Sequence, residues 1–113
     1  VLAELPFADL MTQKRRPALV LNEKTEQSDV ILAFIGTHIP SVLTKTSIVI
    51  TVSDADFNKT GLKTDSVIRL DKIATIERRL ITRRLGRLGK DRLKAVDRAL
   101  IAVLCISYGN HEV

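Results

Sequence analysis

The sequence predicts a mainly β domain, a small barrel or curled sheet that carries one helix at its C-terminal end. Three observations predict it. Short aliphatic and β-branched segments recur between polar or turn-forming stretches, strands and helices never alternate as a parallel sheet requires, and only one stretch repeats its apolar residues at helical spacing.

Val1 to Leu5 is an apolar strand with no turn or cap residue before it, as expected of a strand whose leading residues are truncated. Pro6 to Arg16 has little periodicity and reads as a polar loop, after which Pro17 fixes the backbone and Ala18 to Leu21 makes a second strand. Asn22 to Asp29 is a polar connection. Val30 to Ile35 is nearly continuous in apolar residues, the pattern of a strand buried on both faces, and Gly36 ends it. Ser47 to Ser53 sets Ile48, Ile50 and Val52 against Ser47, Val49 and Thr51. Ser66 to Leu70 is another strand, following the turn signal Lys59-Thr60-Gly61. Between Ile73 and Leu88 two periods compete: Ile73, Ile76 and Leu80 fit a helix, whereas Ile81, Thr82 and Leu85 with their interleaved arginines fit a strand. A short turn followed by a strand is the expectation. Leu93, Val96, Leu100, Val103 and Leu104 recur at helical spacing, with Arg92, Lys94, Asp97 and Arg98 on the other face and Asp91 placed to complement the dipole.

A length of 113 residues suits one domain, taken as 1–113, and composition near the globular average disfavours wholesale disorder. The longest apolar runs, Val30 to Ile35 and Ala99 to Ile106, fall far short of the roughly 20 residues that cross a bilayer. No charged-then-apolar leader opens the sequence, so the chain reads as soluble, unexported and suited to the cytoplasm. One cysteine, Cys105, allows no internal disulfide and no multi-cysteine metal site, and its apolar surroundings predict a buried structural thiol.

Charge is more informative. Of the net +5, the segment from Glu77 to Lys94 holds +6, with eight basic and two acidic residues. A concentrated positive field suits a polyanion such as RNA or DNA, or an acidic protein partner; a solvated basic face with no ligand is the plain alternative. The five glycines never group as a phosphate-cradling loop requires, and His38 and His111 stand too far apart in sequence to suggest a zinc site. Neither a cofactor nor a metal is expected. What remains is the basic loop Gln13-Lys14-Arg15-Arg16-Pro17 and the hydroxyl-bearing strand end Gly36-Thr37-His38. Such residues suit metal-free RNA cleavage, in which a 2′-hydroxyl attacks the adjacent phosphorus while the protein moves protons and sets cations against the developing charge.

At these same residues the sequence resembles the MazF/PemK toxins of bacterial type II toxin–antitoxin systems. The resemblance covers nearly the whole chain: Leu5 to Asp9, Lys14 to Leu21 with its Arg-Pro-apolar signature, Gly61 to Ile68, Leu70 to Ile76, Leu85 to Leu88, and Val96 to Leu100. It implies a small barrel related to the Src-homology-3 type, a homodimer, inhibition by an acidic antitoxin of the MazE/PemI kind, and sequence-specific cleavage of single-stranded RNA to 2′,3′-cyclic phosphate and 5′-hydroxyl ends. By the same resemblance Arg16 is the catalytic arginine, and the catalytic hydroxyl lies at the end of the strand Val30 to Ile35. There the family commonly reads Ile-Thr-Ser or Ile-Ser-Ser, whereas this chain reads Ile35-Gly36-Thr37. Three readings follow: Thr37 supplies the hydroxyl, the imidazole of His38 takes part, or activity is weak. Lys14, Arg15, His38 and Lys72 are the expected RNA-binding residues. Two other functions stay open on the same barrel: a non-catalytic toxin of the CcdB type that poisons DNA gyrase, and a basic interaction domain that binds nucleic acid without cutting it.

Overall fold

A computed structural model gives the fold. It describes residues 1–5, 15–22, 29–107, 109 and 111–113. The elements run β1 (Leu2–Glu4), β2 (Arg15–Val20), β3 (Asp29–Gly36), β4 (Ser47–Ile50), α1 (Phe57–Thr60), β5 (Ser66–Glu77), a 3-10 turn (Arg78–Leu80), β6 (Ile81–Arg83) and α2 (Lys90–Val103). All strand pairs are antiparallel, in the order β4-β5-β3-β2-β1-β6. The barrel expectation needs one correction. The sheet curls without closing, because the short strands β4 and β6 stand at its two edges and do not pair with each other.

Curling starts in β2. Its first half, Arg15 to Pro17, pairs with β1, and its second half, Ala18 to Val20, pairs with β3. The change of partner falls at Pro17, whose nitrogen has no hydrogen to donate to a further strand. Arg15 and Arg16 therefore belong to a strand, held opposite Glu4 and Ala3, and the expected loop does not extend to them. The rest of that loop, including Lys14, lies outside the described residues.

Two apolar clusters line the two sides of the curled sheet. One joins Ala33, Ile48, Ile50, Phe57, Ile68 and Leu70 to Val96 and Ala99 of α2, and the other joins Ala3, Leu5, Ala18, Leu32 and Ile76. Adjacent strand residues point to opposite faces, so Leu32 and Ala33 enter different clusters, and β3 is buried on both faces at that point. Farther along, Ile31 remains 39% exposed, so the expected two-sided burial does not hold along the whole strand.

Other boundaries differ for local reasons. β4 stops at Ile50 because the Asp54 carboxylate accepts hydrogen bonds from the backbone N–H of Thr51 (3.0 Å) and from its hydroxyl (3.0 Å), folding 51–54 into a turn. The Lys59-Thr60-Gly61 signal proves to be the end of a one-turn helix, capped by Gly61 in the left-handed conformation at φ 72°. A side chain at that position would also meet the carbonyl of Leu85. The expected turn and strand after Ile73 lie at 78–83, since β5 runs on to Glu77. In α2 the buried residues are Val96 and Ala99, while Leu93, and Leu104 just past the helix end, are about half exposed. Cys105 lies beyond the helix at φ 51°, where helical periodicity no longer sets its direction, and its thiol is exposed rather than buried. Among the described residues no helix is long and apolar enough to cross a membrane.

Arg92 ties the start of α2 to the 51–54 turn through an ion pair with Asp54. The bond from the Thr51 N–H is the main influence holding the Asp54 carboxyl below its ordinary range; the Thr51 hydroxyl and Arg92 add to it against a partial desolvation. A depressed folded pKa stabilises fully above the unfolded value of about 4 and is lost as pH falls through the folded value. As pH falls from about 4 through the folded value, thermal midpoints should fall less steeply for Asp54→Asn than for the unchanged protein. Equal slopes would show that this carboxylate contributes nothing to acid sensitivity.

Candidate functional site

The site is created by a slip in the β3–β5 ladder. From Asp29↔Glu77 to Ala33↔Ile73 the two strands pair residue for residue, and then Phe34 faces Arg69. Leu70, Asp71 and Lys72 are thereby left over on β5, a large bulge that disrupts the ladder locally and re-aims side chains. Leu70 turns inward and is fully buried, its N–H bonded to the Thr46 carbonyl at 2.9 Å, while Asp71 and Lys72 stand out from the sheet.

Beside this bulge lies an open groove of about 820 Å³. Arg16 of β2 enters from one side. Phe34 to Gly36 at the end of β3, followed by Thr37 and His38, form a wall, and Arg69, Asp71, Lys72 and Ile73 of β5 complete the lining. Arg16, Thr37, His38 and Lys72, far apart in sequence, thus meet in one cavity. Arg15 does not join them: it alternates to the other face of β2 and lies 4.0 Å from Glu4. Lys14 is outside the described residues. The arginines of the basic segment, Arg78, Arg79, Arg83, Arg84 and Arg87, do not line the groove either, and Arg79 is paired with Glu77.

Two groove residues escaped the sequence reading. Arg69 donates from Nε to Asp71 Oδ1 at 3.1 Å and from Nη2 to Oδ2 at 2.7 Å, a two-point ion pair. These bonds hold the Asp71 carboxyl below the usual range and raise the Arg69 guanidinium above its own. The available signal was the pair Asp71-Lys72, consecutive charges interrupting an otherwise apolar strand.

Among the described residues, the cations Arg16, Arg69 and Lys72 against the carboxylate Asp71 give the groove a positive balance suited to an anionic chain. Exposed Thr37 adds a hydroxyl and His38 an imidazole. Gly36 is open around the place a side chain would occupy, with no atom within 4 Å, so close packing does not require glycine there. No group of three or more His, Cys, Asp or Glu side chains able to hold a metal occurs among the described residues.

The fold is shared with solved toxin structures. The Mycobacterium tuberculosis toxin MazF-mt6 superposes with a TM-score of 0.74 at 22% identity, covering 95% of this chain and 96% of that one. An endoribonuclease in complex with its cognate antitoxin, from a mycobacterial species, gives 0.71 at 16% identity, covering 96% and 92%. A mycobacterial endoribonuclease gives 0.68 at 17%, covering 96% and 90%. No curated protein sequence matches. The family model of the PemK-like, MazF-like toxins matches residues 1–104. A match over that span, together with the shared fold, establishes that the chain belongs to the PemK-like, MazF-like toxins of type II toxin–antitoxin systems.

Proposed function

We propose that the protein is a cytoplasmic endoribonuclease that cuts single-stranded RNA in the groove beside β5. The observation that carries this reading is the meeting of Arg16 and Thr37 in one cationic cavity. Two of the similar structures are endoribonucleases, which supports it.

In the proposed reaction the 2′-oxygen bonds to phosphorus as the bond from phosphorus to the 5′-oxygen breaks. The 2′-hydroxyl gives up its proton and the departing 5′-oxygen takes one, leaving a 2′,3′-cyclic phosphate and a 5′-hydroxyl. No metal is needed if cations already face the phosphorane. Arg16 supplies a planar fork of donors to its oxygens, and β2 pins its backbone between the pairing to Ala3 and the following Pro17. Thr37 supplies the hydroxyl that hydrogen-bonds the reacting phosphate. Lys72 and His38 bind the flanking chain, as does Lys14. Arg15 lies on the other face beside Glu4 and in this reading stays off the RNA path.

A homodimer inhibited by an acidic antitoxin completes the reading. One similar structure is a complex with a cognate antitoxin, and a cationic groove attracts a disordered acidic segment by the same field that attracts RNA.

Incubation of the purified protein with a long single-stranded RNA and a chelator should yield cyclic-phosphate and 5′-hydroxyl ends. Arg16→Ala should lower the rate about a hundred- to a thousand-fold, with Arg16→Lys a poor rescue; full cleavage by folded Arg16→Ala would remove the assignment. A CcdB-type toxin or a simple binding domain would leave the RNA whole. Thr37→Val should strongly reduce cleavage while Thr37→Ser retains much of it, and Gly36→Ser, which meets no obstruction, should raise it. An active Thr37→Val beside an inactive His38→Ala would transfer the role to His38. Light scattering at micromolar concentration should give a dimer, and the cognate antitoxin's acidic segment should block cleavage; a fully active monomer whose bound peptide leaves cleavage unchanged would refute both.

A further inference from the structure

The pair between Arg69 and Asp71 has no evident task in stabilising the fold. Both side chains are more than a third exposed, and ion pairs this close to solvent contribute little to stability. Yet the bulge places both against the groove, and two-point contact fixes the plane of the guanidinium.

A phosphate is a poor occupant of this spot. The Asp71 carboxylate repels it, and the Nε and Nη2 donors that would grip it already serve Asp71. Arg16 and Lys72 are the groove's cations without a described carboxylate partner. What the pair leaves available is different: the carboxylate keeps acceptor capacity beyond the bonds from Arg69 and from its own N–H, and of five N–H donors on the guanidinium two are used. Acceptors and donors therefore stand side by side, as along the edge of a nucleobase. Phe34, paired in register with Arg69, and Ile73 add apolar surface for the flat face of a ring. The guanidinium plane offers a stacking surface of its own.

Resting on the RNA-cutting reading above, we propose that the Arg69–Asp71 pair is the base-reading subsite of the groove, taking one unpaired nucleobase that bears an exocyclic amino group. The amino group donates to Asp71 and a neighbouring ring acceptor or carbonyl takes a hydrogen from Arg69. Uracil is disfavoured, because its single N–H lies between two carbonyls that would face the carboxylate. The pair then sets where the RNA is cut, and Arg16 with Thr37 acts on the phosphate itself.

The test compares the unchanged protein with Asp71→Asn and Arg69→Lys. Fragment ends from a long RNA of mixed sequence are sequenced, and RNA retained from a random-sequence pool is sequenced in parallel. An amino-bearing base should be required at one position near the cut. In Asp71→Asn, whose amide donates to a carbonyl, discrimination against uracil there should fall roughly ten-fold or more. Arg69→Lys should relax the same position, and thermal midpoints should show both variants folded. Loss of rate spread equally over all sequences, or a uniform gain in RNA binding, would overturn the proposal, reducing the pair to a brace or a screen. Should the protein retain amino-bearing bases from the pool but cut nothing, with Asp71→Asn relaxing that choice, base reading stands and the nuclease reading falls. Absence of any position-specific preference in either experiment overturns base reading whether or not the RNA is cut.

Discussion

The pairing of β3 with β5, with its three-residue slip, governs both the core and the groove. β3 lies between β2 and β5 in the sheet, and its inner residues, Val30, Leu32 and Ala33, are wholly removed from water. A strand so buried has little freedom of register, because a one-residue shift would send each apolar side chain to the opposite face. The ladder is therefore fixed on both sides of the bulge. The mismatch between its two halves must be absorbed at Leu70 to Lys72, where Leu70 anchors the loop in the core and its two charged neighbours are forced outward. The same burial that stabilises the sheet positions the polar groups of the groove.

The distribution of charge follows a different logic from the arrangement of the strands. The segment richest in arginine lies along the 3-10 turn, β6 and the start of α2, away from the groove. Inside the groove, fewer cations act, and they come from β2 and β5. A local excess of positive charge draws an anionic chain toward the molecule at long range, whereas chemistry on a phosphate requires a donor already held in place. The backbone of Arg16 is held by its pairing with Ala3 and by the restricted backbone of the following Pro17. In the proposed reading, the exposed arginines outside the groove contribute to encounter with RNA or antitoxin, and the reaction is left to the few groups that the sheet orients.

Strand positions were legible in the sequence wherever burial dictates the residue type. The alternation of Ile48 and Ile50, the apolar run of β3 and the helical spacing around Val96 reflect the requirement that one face, or two, be dry. Boundaries were less legible when a single side chain settled them, as Asp54 does in ending β4 by hydrogen-bonding to Thr51. Helical spacing also overstated how far the apolar face of α2 is covered: nothing in the periodicity of Leu93 and Leu104 says whether another element packs over them, and they are half exposed. Cys105 failed for a related reason, since it follows the last helical residue.

For the groove, the residue types along the chain already name the available groups: an arginine before proline, a hydroxyl and an imidazole after a strand, and a lysine after an aspartate. Motifs in order along the chain also point to the family whose model matches residues 1–104. Which of these groups share a cavity follows from how the strands pair and pack. Arg15 and Arg16 are neighbours in sequence, yet the pleat of β2 sends one toward Glu4 and the other into the groove. Arg69 and Asp71 become groove residues through the β3–β5 slip. Register is a property of two strands at once, set by the packing on either side of them, and for that reason no single stretch of sequence contains it.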